Sequence, residues 1–147
     1  MSTVEVNTNW LTFEEGLERI KRAVGKSVEL NRVVTSRDPG MEQIAAKLKV
    51  TGAPSGFQKW QLPVYLNGPS QLFISAGAPN VEVGEHSHDA GDGVRFMAGG
   101  SIHFEGKELT AGDWVFIPKG KKYSFRVGAL GAVMCYCYCC CCAPRLN

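Results

Sequence analysis

The chain has 147 residues, 44% of them hydrophobic, and a formal net charge of +2, which is enough apolar material for one domain with an ordinary core. So even a charge balance, with no basic stripe interleaved with aromatics, argues against nucleic acid and membrane surfaces as partners. No apolar run approaches the ~20 residues of a membrane span, and Met1 to Trp10 is polar without a charged-then-apolar signal, so the expectation is a soluble cytoplasmic protein.

After that polar start, Thr12 and Glu15 make a capping box, and Phe13, Leu17, Ile20 and Val24 recur at helical spacing until Gly25 and Lys26 close the segment. An amphipathic helix is the expectation. Val28 to Thr35 reads as a strand. Asp38-Pro39 then opens a second helix over Met41 to Leu48, with Ile44, Ala45 and Leu48 as a narrow apolar stripe. These helices are expected on the outside of a barrel or over its mouth.

From Gly52 the pattern changes. Gly, Pro and Ser punctuate short strand-like runs: Phe57 to Leu66, Gln71 to Ser75, Val81 to His88, Gly93 to Ala98, Ser101 to Phe104, Trp114 to Ile117, Tyr123 to Val127 and Ala132 to Cys142. Many short strands with turn glycines between them argue for an all-β sandwich or barrel. The organisation this implies is an amino-terminal helical extension over 1–55 and a β-barrel over 56–147. In Ser101-Ile102-His103-Phe104 the alternation turns Ile102 and Phe104 inward and His103 outward.

The stretch Glu85-His86-Ser87-His88-Asp89-Ala90-Gly91-Asp92 holds two of the three histidines. Side chains at i and i+2 of a strand share a face, so His86 and His88 present imidazoles side by side while Asp92 returns from the next strand. Two histidines and one carboxylate with open positions are the arrangement of non-haem Fe(II) oxygenases. The competing reading keeps the two histidines as polar contacts inside a barrel without a metal. Arg95, three residues after Asp92, falls on the opposite face by alternation, which suits a surface or oligomer contact.

This stretch resembles the first motif of the cupin family, His-x-His, three or four residues, Glu, six residues, Gly. Here it is His86-x-His88, three residues, Asp92, six residues, Gly99. The second motif, Gly, five residues, Pro-x-Gly, two residues, His, three residues, Asn, corresponds to Gly112, five residues, Pro118-Lys119-Gly120, two residues, Tyr123, three residues, Val127. Asp92, Tyr123 and Val127 depart from the family's Glu, His and Asn. The resemblance runs over roughly residues 60 to 142 and implies a cupin-type antiparallel β-barrel or jelly roll, all-β apart from the short amino-terminal helices, and it allows a homodimer. It implies a divalent metal ion, Fe(II) first, with Zn, Mn, Ni, Co or Cu as alternatives, on His86, His88 and Asp92. Tyr123, in the slot of the family's third histidine, becomes a fourth ligand, a catalytic hydrogen-bond donor to bound oxygen, or a packed tyrosine whose hydroxyl finds a partner.

All six cysteines lie between Cys135 and Cys142, so no disulfide can staple distant parts of the chain. Met134-Cys135-Tyr136-Cys137-Tyr138-Cys139 alternates, with thiols on one face and tyrosines on the other. Same-face neighbours are ~6.6 Å apart along a strand, beyond the about 4.6 Å that two sulfurs on one zinc allow. The thiols are therefore expected as small buried packing groups, with pocket lining, soft-metal binding or redox sensing as the minority alternatives. The function these features imply is a mononuclear metal-dependent cupin acting on a small organic molecule, most plausibly an oxygenase of the dioxygenase type. The alternative is a non-catalytic small-molecule-binding or regulatory cupin, metal-free or with a structural metal.

Overall fold

The structure, a computed structural model, describes residues 11–26, 31–51, 53–66, 68 and 70–139. The polar start Met1 to Trp10, Val28 to Leu30 of the expected first strand, and Cys140 to Cys142 lie outside the described residues. The chain divides into two compact units, Met1–Glu29 with Pro39–Tyr65, and Leu30–Asp38 with Leu66–Asn147. Residues 31–38 thus go with the β unit, where the sequence places them with the helices.

In the first unit, helix α1 spans Phe13–Val24 and α2 spans Met41–Lys47. The capping box forms as expected: Glu15 N–H donates to Thr12 Oγ1 at 3.2 Å and Thr12 N–H to Glu15 Oε2 at 2.8 Å. Ile20, Ala23 and Val24 are the buried residues of α1, and Met41 and Ile44 those of α2. Arg19 ties α1 to the following chain by donating to the carbonyls of Leu48 and Lys49 at 3.2 and 2.7 Å. The expected strand Phe57 to Leu66 does not form. Among the described residues only the bridge between Lys49 and Trp60 is made, because Pro63, inside the run, offers no N–H to a ladder.

The second unit is an antiparallel sheet built from β1 (Val34–Thr35), β2 (Ser70–Gly77), β3 (Glu82–His86), β4 (Gly93–Phe104), β5 (Lys107–Thr110), β6 (Trp114–Ile117) and β7 (Tyr123–Cys139). The order is β1-β6-β4-β7-β2, with β3 paired to β7 and β5 to β4. Two long strands, β4 and β7, form its spine. The sequence reads each of them as two shorter strands split by glycines; here the glycines make bulges within continuous strands. At the β4–β7 crossing the two backbones touch: a Cβ on Gly100 (φ +65°) would collide with the Gly131 carbonyl. Only glycine permits that approach. Strand β5, missing from the sequence reading, follows a two-residue turn at Glu105-Gly106, both with positive φ (46° and 75°), the geometry of a type I′ hairpin.

Alternation along these strands fills the core. Met97, Ile102, Phe104, Leu109, Val115, Ile117, Val127 and Met134 are buried together, with Ile102 and Phe104 inward and His103 exposed as expected. Beside this core, two buried aspartates lock the front of the unit. Asp38 accepts from Arg32 Nη1 (3.0 Å), Lys107 Nζ (2.9 Å) and Thr35 Oγ1 (2.7 Å). Asp113 accepts from Arg37 Nε (3.0 Å), Ser36 Oγ (2.9 Å) and Thr110 N–H (2.9 Å). Asp38, which the sequence offers as the start of α2, instead belongs to this network, and α2 begins after the left-handed Gly40.

Candidate functional site

His86 ends β3 and pairs directly with Tyr123, the first residue of β7. Their rings lie 4.4 Å apart between centroids, and the rings of His86 and His88 lie 5.2 Å apart, edge to face. His86 Nδ1 is 2.8 Å from the Gly84 carbonyl. A carbonyl only accepts, so this nitrogen carries a proton. The fixed orientation is what an imidazole poised to accept or ligate needs.

His88 Nε2 sits 3.0 Å from the Tyr123 hydroxyl, and Arg95 Nη2 donates to the same hydroxyl at 3.4 Å. A guanidinium cannot accept, so the phenol oxygen takes the Arg95 hydrogen, and its own proton goes to His88 when Nε2 carries none. That direction requires a neutral imidazole. Burial pushes the His88 pKa down, the neighbouring His86 and Arg95 push the same way, and Asp89 opposes them. The rings of Tyr136 and Tyr138 close on His88 at 5.6 and 5.8 Å, and Gly93 leaves room for this, since a Cβ there would meet the Tyr136 hydroxyl at 2.8 Å.

Arg95 corrects the sequence reading. It is 8% exposed and faces inward, because Asp92 precedes β4 and sets no parity for it; Gly93, Arg95 and Met97 share the inner face. The thiols are the mirror case. Tyr136 and Tyr138 line the interior beside His88, while Cys135 and Cys137 are half-buried on the other face, in register with the exposed Ile74 and Leu72. No described thiol lines the site. Arg95, Tyr136 and Tyr138 are the site residues that sequence reasoning missed.

Asp92 is placed differently from its two histidines. Its Oδ1 accepts the Lys119 N–H at 2.8 Å, and the Gly120 N–H donates to the His88 carbonyl at 2.9 Å. The Pro118-Lys119-Gly120 turn thus holds the loop that carries His88 and Asp92. In this arrangement His88 Nε2 faces the Tyr123 hydroxyl and Asp92 Oδ1 faces the turn. Among the described residues no group of three or more His, Cys, Asp or Glu side chains lies close enough to hold an ion.

Both motifs therefore meet at one end of an antiparallel β unit, His86-x-His88 on β3 and its loop, the Pro118-Lys119-Gly120 turn beneath them, and Tyr123 facing both imidazoles. This is the antiparallel arrangement that the cupin-like frame of the sequence implies.

No family model matches the chain, and no curated protein matches it. Solved structures similar to this chain include a Ralstonia eutropha protein of unknown function with a cupin-like fold, 17% identical over 48% of this chain and 46% of that one, with a TM-score of 0.43. An RmlC-like cupin from Shewanella frigidimarina is 21% identical over 49% and 67%, with a TM-score of 0.42. A Klebsiella pneumoniae protein with a double-stranded β-helix domain is 19% identical over 54% and 70%, with a TM-score of 0.45. The chain thus spans less than half the length of the Ralstonia protein. Among the described residues no helix is long and apolar enough to cross a membrane.

Proposed function

We propose that this cupin binds a small organic molecule at the end of the barrel where His88, Tyr123, Tyr136 and Arg95 meet. One observation carries the reading: the Arg95–Tyr123–His88 chain of hydrogen bonds inside a cage of tyrosine rings. A barrel end that only had to be stable could be filled by hydrocarbon, without a buried cation and two phenols to satisfy. Convergent polar groups on aromatic walls are the usual composition of a ligand site. The test is a thermal-shift screen of small organic molecules against the wild type and the double variant H88A/Y123F. Compounds that raise the wild-type Tm and leave the variant unmoved support the reading; equal shifts in both, or none in either, contradict it.

A metal-dependent oxygenase using His86, His88 and Asp92 is the second reading, favoured by the His86 Nδ1 contact with the Gly84 carbonyl, the kind of support that metal-ligating imidazoles receive. It requires Asp92 to release the Lys119 amide. Elemental analysis of anaerobically purified protein, with H86A/H88A as control, tests it. Stoichiometric redox-active metal lost in the control supports it, and metal-free wild type counts against it.

A further inference from the structure

Three buried side-chain polar atoms make no hydrogen bond of good geometry among the described residues: Arg95 Nε, Ser75 Oγ and the Tyr136 hydroxyl, which has the Tyr123 phenol near it. The register places them together. Arg95 pairs with Tyr136 across β4 and β7, and Ser75 pairs with Met134, two residues along β7 on the same face. Arg95 Nη1 reaches the Met134 sulfur at 3.8 Å, which closes the group. Buried donors left open in this way are uncommon, and three on one patch of one face point to a missing acceptor.

Charge points the same way. A guanidinium stays protonated under all ordinary conditions, and Arg95 has no ion pair among the described residues, whereas Arg32, Arg37 and Lys107 each have a carboxylate. The rings of Tyr136 and Phe125, 4.3 and 5.1 Å from its central carbon, offset part of the buried charge. They supply no acceptor for the Nε–H.

We infer that the site takes a small carboxylate, held by the Nε edge of Arg95 with the Tyr136 hydroxyl as a second donor. This deepens the small-molecule reading and rests on it. The planar fork of the guanidinium matches the two oxygens of a carboxylate, the tyrosine rings suit an apolar or aromatic remainder, and Tyr123 and His88 stand next to it for further polar contacts.

The experiment titrates the full chain with acetate, succinate and benzoate, and with acetamide and benzamide as uncharged counterparts. Readouts are Tm and the 15N-resolved NMR signal of the Arg95 Nε–H. The carboxylates are expected to raise Tm and shift that signal. Affinity is expected to fall about ten- to hundredfold in R95M, the worth of a hydrogen bond to a charged group, and to stay unchanged in R37M, whose guanidinium lies at the surface. Y136F keeps the ring and loses the second donor, so it is expected to weaken binding even if R95M fails to fold. Amides binding as well as carboxylates, with the Nε–H signal unmoved, would remove the carboxylate assignment and leave the small-molecule reading standing. Neither class binding would remove both.

Discussion

Arg95 and Tyr136 face each other across β4 and β7, the guanidinium carbon 4.3 Å from the centre of the phenol ring. The pairing follows from register alone, since directly opposed residues of an antiparallel pair point to the same side. It brings a permanent cation into the barrel wall next to the two histidines that the sequence picks out.

That cation is buried without a carboxylate partner among the described residues. A buried charge without a carboxylate partner carries a desolvation cost that an apolar side chain of similar volume does not. R95M is therefore expected to unfold in urea at the same midpoint as the wild type or a higher one. A loss of more than about 2 kcal/mol would mean that the guanidinium is already satisfied within the free protein.

The β4–β7 crossing is the least tolerant point of the fold. G100A places a methyl group into the Gly131 carbonyl at a residue with φ +65°, and a cost of about 3 kcal/mol or more is expected from the overlap and the left-handed backbone together. G84A, with open space around it, is expected to stay within about 0.5 kcal/mol of the wild type. Thermal unfolding followed by circular dichroism distinguishes the two.

Acid stability is expected to follow Asp38 and Asp113. Burial alone raises both carboxyls, but hydrogen bonds from Lys107, Thr35 and Arg32 to Asp38, and from Thr110, Ser36 and Arg37 to Asp113, outweigh it and hold both below the ordinary value of 3.8. The folded state then binds fewer protons than the unfolded one in the window below that value, so stability rises with pH there. Urea midpoints are expected to be level above the ordinary carboxylate value and to fall as pH drops through it toward the lower folded values. In D38N the acid-side slope is expected to flatten; an unchanged slope would take Asp38 out of the account.

In the helical unit, T12A removes the hydroxyl that accepts the Glu15 amide and is expected to cost about 1 kcal/mol. T12S, which keeps the acceptor, is expected to restore most of it in the same urea titration.

How far the residues spoke for themselves depended on how local the signal was. α1 was legible because its apolar period lies within 12 residues and its cap directly before them, and Trp114 to Ile117 because four apolar residues between a Gly-Asp turn and a Pro-Lys-Gly turn fit a short buried strand. The cupin frame put His86, His88 and Tyr123 together, and in the structure they are neighbours. What stayed hidden was set by long-range register. Arg95 looked outward only while Asp92 was counted as part of its strand. For Tyr136 and Cys135, alternation separates two faces without saying which is inside; their partners on β2 and β4 decide that. Glu105-Gly106 lacked the Asn or Asp that usually announces a type I′ turn, and so β5 was missed.

The proposed ligand site is the end of the β unit where His88, Tyr123 and Arg95 meet. The direct measurement is an NMR fragment titration of the full chain with the tyrosine and tryptophan ring signals assigned. It pits this site against the apolar groove of about 530 Å³ that Phe13, Leu17, Trp60 and Leu62 help to line in the helical unit. The rings of Tyr123, Tyr136 and Tyr138 are expected to shift together and saturate at one dissociation constant while the Trp60 indole stays still. Fragments that move Trp60 and leave the three tyrosines untouched would contradict it.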